Sequence, residues 1–270
     1  MISKRILATF LSIIATVSAT PAKIHSETFI IGGETADKDE FPWLVRYTVL
    51  PASGESRVCL GTLVDSDLVL TSASCVIGNS RPITVIAGDH LLLEVEGTEQ
   101  SVASSEVVLH ENFNSTGGLD NDIALIRLAS HLTSTTSVKP VTLPRNTSDP
   151  VYYGYGIQAG WGETEEGGLS PVLLKAWVDI RDNYTCAEHG LTIPEGQVCS
   201  VDDKGAYKGD TGGPISCYGR QWEICGVLST VGIDNTTIVG GYTNVALYLD
   251  WIAAHRSTYF QIEPLAVVLF

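Results

Sequence analysis

The chain has 270 residues, with 16 Lys plus Arg against 31 Asp plus Glu for a net charge of −15, and 44% of it is hydrophobic. That apolar share, with 17% charged residues, suffices for a buried core and excludes disordered, collagen-like and coiled-coil chains. The acidic balance repels phosphate backbones and anionic lipid surfaces, and no local basic patch offsets it, so neither nucleic acid nor a membrane is expected as a partner.

Taken in chain order, the N-terminus reads first as an address. Lys4 and Arg5 precede the apolar stretch Ile6 to Val17, and the small residues Ser18 and Ala19 follow, so residues 1–19 are expected to be a secretory signal. The stretch is shorter than the ~20 residues that span a bilayer. Residues 20–29 form a candidate propeptide. Secretion places the six cysteines in an oxidising compartment, where three bridges are expected, although spacing alone leaves the pairing open. Sequons at Asn114, Asn146, Asn183 and Asn235 suit the same extracellular route.

From Phe41 onward, short apolar or alternating runs recur between turn residues: Trp43 to Leu50, Leu68 to Leu70, Ile83 to Ala87, Val102 to Leu109, Ile123 to Leu128 and Leu173 to Ile180. This spacing predicts an all-β sandwich or barrel. The stretch Ala129 to Pro150, rich in Ser, Thr and Pro, reads as the join between two halves. Ala246, Tyr248, Leu249, Trp251 and Ile252 predict a short amphipathic helix ending near Arg256. Residues 257–270 form a tail whose apolar end, Leu265 to Phe270, either packs on the body or meets a partner.

Several motifs stand in a particular order: Ile30-Ile31-Gly32-Gly33, then Gly61 to Cys75 (GTLVDSDLVLTSASC), Asp120 to Leu128 (DNDIALIRL), Ala159 to Gly162 (AGWG), Gly209 to Pro214 (GDTGGP), Tyr242 to Val245, and Asp250-Trp251-Ile252. Together they resemble the chymotrypsin and trypsin family of serine proteases from Ile30 to Ala254. The resemblance implies one homology domain over residues 30–256, made of two packed six-stranded antiparallel β-barrels with the cleft between them and a C-terminal helix.

That family's chemistry uses a Ser nucleophile, a His base and a buried Asp that orients the His. The resemblance puts Asp122 at the Asp position, Ser74 at the His position and Thr211 at the Ser position. A Thr hydroxyl needs an adjacent base, and Ser74 offers only another neutral hydroxyl. His90, His110, His131 and His189 fall at family positions on surface loops away from the cleft. The chain is therefore expected not to be an enzyme, and to resemble degenerate arthropod homologues such as the inactivated paralogues of parasitic mites related to trypsin-like mite allergens. Residual Thr211-based endopeptidase activity, or a structural or adhesion role, is the alternative.

The specificity pocket implied by the resemblance comprises Gly205, Tyr207, Ser229, Thr230, Val231 and Gly240. No acidic floor is present at Gly205, and Tyr207 with Val231 either occludes the opening or reflects drift after loss of catalysis. The backbone N–H groups of Gly209 and Thr211 correspond to the oxyanion hole. Ile30 with Asp210 corresponds to the activation pair, although Phe29 before Ile30 is unlike the family's usual basic cleavage residue. The loop Gly88 to Gln100 resembles the family's calcium loop, with Asp89, Glu96 and Glu99 as carboxylate ligands and Leu91 and Glu94 as carbonyl ligands, so Ca²⁺ is a candidate while no cofactor is required. The resemblance also implies Cys59–Cys75 and Cys186–Cys199. It leaves Cys217, whose usual partner position holds Gly156, to Cys225. The expected function is secreted protein binding that modulates or decoys a proteolytic or host-defence cascade, with proteases, inhibitors or host-defence proteins as partners.

Overall fold

The computed structural model describes residues 32–51, 54, 56–114, 116, 118–145, 154–163, 168–218 and 221–256. The signal, the propeptide with Ile30, and the tail at 257–270 lie outside the described residues, as does Asn146.

After the two-residue strand β1 (Glu34–Thr35), the first half runs β2 (Leu44–Val49), β3 (Arg57–Asp65), β4 (Leu68–Thr71), helix α1 (Ala73–Val76), β5 (Thr84–Ala87), β6 (Gln100–Leu109) and β7 (Ala124–Leu128). These six longer strands close into an antiparallel barrel in the order β2-β3-β4-β7-β6-β5. Closure leaves no edge strand exposed to another chain. Strand β4 is buried throughout, and its sequence LVLT is accordingly an unbroken apolar run capped by a Thr.

The second half contains β8 (Gly154–Gly160), β9 (Leu174–Arg181), helix α2 (Asn183–Glu188), β10 (Gln197–Asp202), β11 (Pro214–Tyr218), β12 (Trp222–Asp234) and β13 (Thr237–Asn244). Strand β9 pairs with both β8 and β10, which closes β8, β9, β10, β13, β12 and β11 into a second six-stranded barrel, with β1 added at the rim of β9. Its period-two pattern points Leu174, Ala176, Val178 and Ile180 inward. The expected fold of two six-stranded barrels is the fold observed.

Strands β10 to β13 were not legible as alternating runs, because Gly, Ser and Cys take many of their buried positions. Between the barrels, residues 129–145 run along the first one, held by Leu132 N–H on the Ser66 carbonyl at 2.8 Å and Val141 N–H on the Leu63 carbonyl at 2.9 Å.

The C-terminal segment begins as a 3₁₀ turn at Val245–Tyr248, capped by the Asn244 side chain, and continues as α3 (Leu249–Arg256). The helix returns to the first barrel: Ile252 is fully buried in that core, and Arg256 donates to the Val64 carbonyl at 3.2 Å and Asp65 Oδ2 at 2.7 Å. Burying the Ile252 side chain contributes about 1.5–3 kcal/mol. His255 and Arg256 in the last turn also suit the helix dipole.

Candidate active site

Barrel topology brings the three triad positions together. Strand β4 pairs with β7, with Thr71 opposite Ala124, so α1 just after β4 and Asp122 just before β7 are neighbours. There the Ser74 N–H donates to Asp122 Oδ1 at 2.7 Å and the Ser74 hydroxyl donates to Oδ2 at 2.8 Å. Thr211 arrives from the other barrel, its carbonyl accepting the Leu60 N–H of β3 at 2.9 Å and lying 3.4 Å from Cys75 Sγ.

Asp122 is fully buried, and Oδ2 also accepts the Ser229 hydroxyl at 2.6 Å. Thr243 Oγ1 donates to its backbone carbonyl at 2.7 Å. Burial pushes the Asp122 carboxyl above its ordinary range, opposed by the hydrogen bonds from Ser229 and Ser74. The carboxylate is thus closed over by hydroxyls from both barrels, a role for Ser229 that the sequence did not disclose.

No imidazole among the described residues joins this group. His90 Nε2 lies 3.0 Å from the Ala36 carbonyl, His131 is hydrogen-bonded to Ser66, and His189 lies against Asp234. His110 departs from the surface placement expected of it: its ring is largely covered and packs edge-on against Tyr248 and tilted against Trp251, with centroids 5.3 and 5.2 Å away. No side chain among the described residues hydrogen-bonds to Thr211 Oγ1. Among the described residues, therefore, no proton relay through histidine is assembled at this position.

The turn Gly209 to Gly213 is fixed by its own backbone. Asp210 N–H reaches the Tyr207 carbonyl, Gly212 N–H the Leu228 carbonyl, and Gly213 N–H the Asp210 carbonyl, at 2.9–3.1 Å. Neither the Gly209 nor the Thr211 N–H donates to a backbone carbonyl among the described residues. Gly212 has φ of +83°, and a Cβ there would meet Thr71 Oγ1 at 2.3 Å and the Leu60 carbonyl oxygen at 2.4 Å.

Behind the turn, the buried Asp210 accepts N–H donors from Gly162 at 2.8 Å and Tyr207 at 3.0 Å. A Cβ at Gly160 or Gly162 would sit 2.1 or 2.3 Å from its carboxylate oxygens, the physical content of the AGWG motif. Burial pushes Asp210 up to about 7, with the N–H donors pulling the other way. Its expected activation partner, Ile30, lies outside the described residues.

Of the pocket positions, Val231 and Gly240 are cross-strand partners on β12 and β13. Thr230 pairs with Gly241, and a Cβ at Gly240 would meet the Tyr242 ring and Ser200 Oγ at 2.7 Å. Under Gly205, Gln158 Oε1 accepts the Ala206 N–H at 2.6 Å. Val231 packs partly buried on the second core, while the Tyr207 ring lies 5.8 Å from Lys208 Nζ.

The acidic loop does gather Asp89, Glu96 and Glu99, with ligand oxygens within 4.8 Å of one another. Every one of them already has partners: Arg46 Nε donates to Asp89 Oδ2, Lys38 Nζ to Glu96 Oε1 at 2.9 Å, and the Glu96 and Gly97 N–H groups to Glu99 at 2.7 and 2.8 Å. The Leu91 carbonyl accepts the Glu94 N–H at 3.1 Å. With a guanidinium inside the ligand set, the residues do not fit a resident Ca²⁺. Arg46 was missed in the sequence, where its only signal is a cation in mid-strand between apolar neighbours.

All three disulfides pair as expected, Cys59–Cys75, Cys186–Cys199 and Cys217–Cys225. Among the described sequons, Asn235 is exposed at the β12–β13 tip with φ of +54°. Asn183 is half-buried, and its amide donates to the Pro194 carbonyl at 2.8 Å. Asn114 sits on a turn, its Oδ1 accepting from Thr116.

Comparison with known proteins follows the same outline. The sequence model of the family described as Trypsin matches residues 30–252. Trypsin-1 of Astacus astacus is 31% identical over 242 residues, 84% of this chain and 99% of that protein. Serine protease SSP1 of Scolopendra subspinipes is 31% identical, covering 86% of this chain and 85% of its own length. Chymotrypsin-like elastase family member 1 of Rattus norvegicus is 30% identical, with 83% and 88% covered. These matches correct the expectation that the chain is not an enzyme: proteins named as a trypsin, a serine protease and an elastase family member match its sequence over most of their lengths. Ser74 hydrogen-bonds to Asp122, and both Asp122 and Asp210 are buried.

Proposed function

From the premise that this chain belongs to the trypsin family of serine proteases, we propose that it works in the extracellular space by engaging a protein partner, modulating a proteolytic or host-defence cascade. Whatever hydrolysis it carries out does not run through a histidine relay. The observation that carries this reading is the hydroxyl closure of Asp122 by Ser74 and Ser229, which spends the orienting carboxylate on packing the two barrels together. Three disulfides among the described residues suit an oxidising compartment, and no helix there is long and apolar enough to cross a membrane. A net charge of −15 favours a basic or mixed-charge partner through long-range attraction.

The test is affinity purification of the glycosylated protein from host plasma and from the producer's own fluid, followed by titration of each retained protein. Saturable binding that is weakened by substitutions at Thr230 and Val231 supports the proposal. Absence of any saturable partner, together with peptide hydrolysis that disappears in Asp122→Asn, overturns it.

A further inference from the structure

Three carboxylates within 4.8 Å would repel one another strongly if nothing balanced them. The structure supplies two cations from outside the loop. Arg46 lies in the middle of β2, opposite Leu60 on β3 and Ile86 on β5, and from there its guanidinium reaches Asp89, which follows the end of β5. Asp89 is almost fully enclosed, its side chain 3% exposed, and Arg46 is 22% exposed, so this ion pair is shielded from solvent. At the rim, Lys38 pairs with Glu96.

The carboxylates are also used as backbone caps. Glu96 Oε2 accepts the His90 and Leu91 N–H groups at 3.1 and 2.9 Å, and Glu99 closes the turn at Glu96 and Gly97. Shaped this way, the loop docks on the second barrel. Leu92 N–H reaches the Pro171 carbonyl at 2.9 Å, while the His90 carbonyl accepts Leu173 N–H at 2.8 Å and Trp161 Nε1–H at 3.2 Å. Trp161 stands between the two glycines that accommodate Asp210, so loop order extends to the back of the candidate site.

We propose that the Arg46 guanidinium, with Lys38 at the rim, is the resident cation of this acidic loop, and that the loop holds its fold and its docking on the second barrel without a divalent ion. A divalent cation placed among the same oxygens would lie within a few ångströms of the guanidinium and be repelled by it. Of the two Asp89 oxygens, Oδ2 accepts from Arg46, and Oδ1 is buried with no hydrogen-bond partner among the described residues.

Calorimetric titration of the full chain with CaCl₂, and thermal unfolding in EDTA against excess CaCl₂, test this directly. The wild type is expected to give no binding heat and the same melting temperature in both media. Arg46→Gln is expected to melt lower in EDTA and to be raised by Ca²⁺, with Ca²⁺ affinity more than about tenfold above wild type, as charge repulsion across a few ångströms implies. A wild-type protein that is stabilised by Ca²⁺ and weakened by EDTA overturns the proposal, as does a folded Arg46→Gln protein indifferent to Ca²⁺. The wild-type titration decides the matter by itself should the variant fail to fold.

Discussion

Replacing Asp210 by Asn is expected to remove a pH dependence of stability that a buried, unpaired carboxyl imposes on this fold. Asp210 is fully enclosed, no cation among the described residues pairs with it, and burial moves it from 3.8 to about 7 despite its N–H donors. Below pH ~4 the group is protonated in both folded and unfolded chains and contributes no slope. Between about 4 and 7 the unfolded chain has released the proton and the folded chain retains it, so stability falls as pH rises. Above about 7 the folded form ionises too and the slope disappears. A shift of about three units at ~1.4 kcal/mol each makes the total on the order of 4 kcal/mol. For a domain of this size that corresponds to roughly 10 °C in melting temperature. Asn offers one acceptor oxygen where Gly162 and Tyr207 use two, so the variant also loses about 1–3 kcal/mol at every pH. The assay is thermal or urea unfolding of both proteins across this range, read as the difference between them, since Asp122 and Asp89 are raised as well while Asp65 and Glu96 are lowered. Wild type and variant running parallel from acid to neutral pH would refute the assignment.

Gly212→Ala is expected to destabilise by about 3 kcal/mol or more, because it combines a positive φ with contacts of 2.3 and 2.4 Å to Thr71 and Leu60; denaturant unfolding measures it. Glycopeptide mapping of secreted protein should find sugar at Asn235 and none at Asn183, whose amide is committed to the Pro194 carbonyl. The double substitution Ser74→His with Thr211→Ser should raise hydrolysis of a small activated ester above wild type by at least about 100-fold, since Asp122 already hydrogen-bonds to residue 74; equal rates would refute the assignment of these positions.

The sequence by itself determined the mostly-β class, because β2, β4 to β7 and β9 are written as short apolar or alternating runs, while the two-barrel arrangement followed from the resemblance of its motifs to the trypsin family. Through the same resemblance the sequence also pointed to the disulfides and to Asp122, Ser74 and Thr211 as the residues that meet between the barrels. It was silent on β10 to β13, where small residues carry no period, and on pairings between distant strands. Only the tertiary structure decided that Ser229 closes over Asp122 from the other barrel, that Asp210 lies buried with no cation beside it among the described residues, and that Arg46 crosses from β2 to Asp89. The physical reason is common to all three. Local patterns report which face of a strand is buried, whereas the partner of a buried charge is chosen by whichever distant side chain the closed barrel carries to within hydrogen-bond reach.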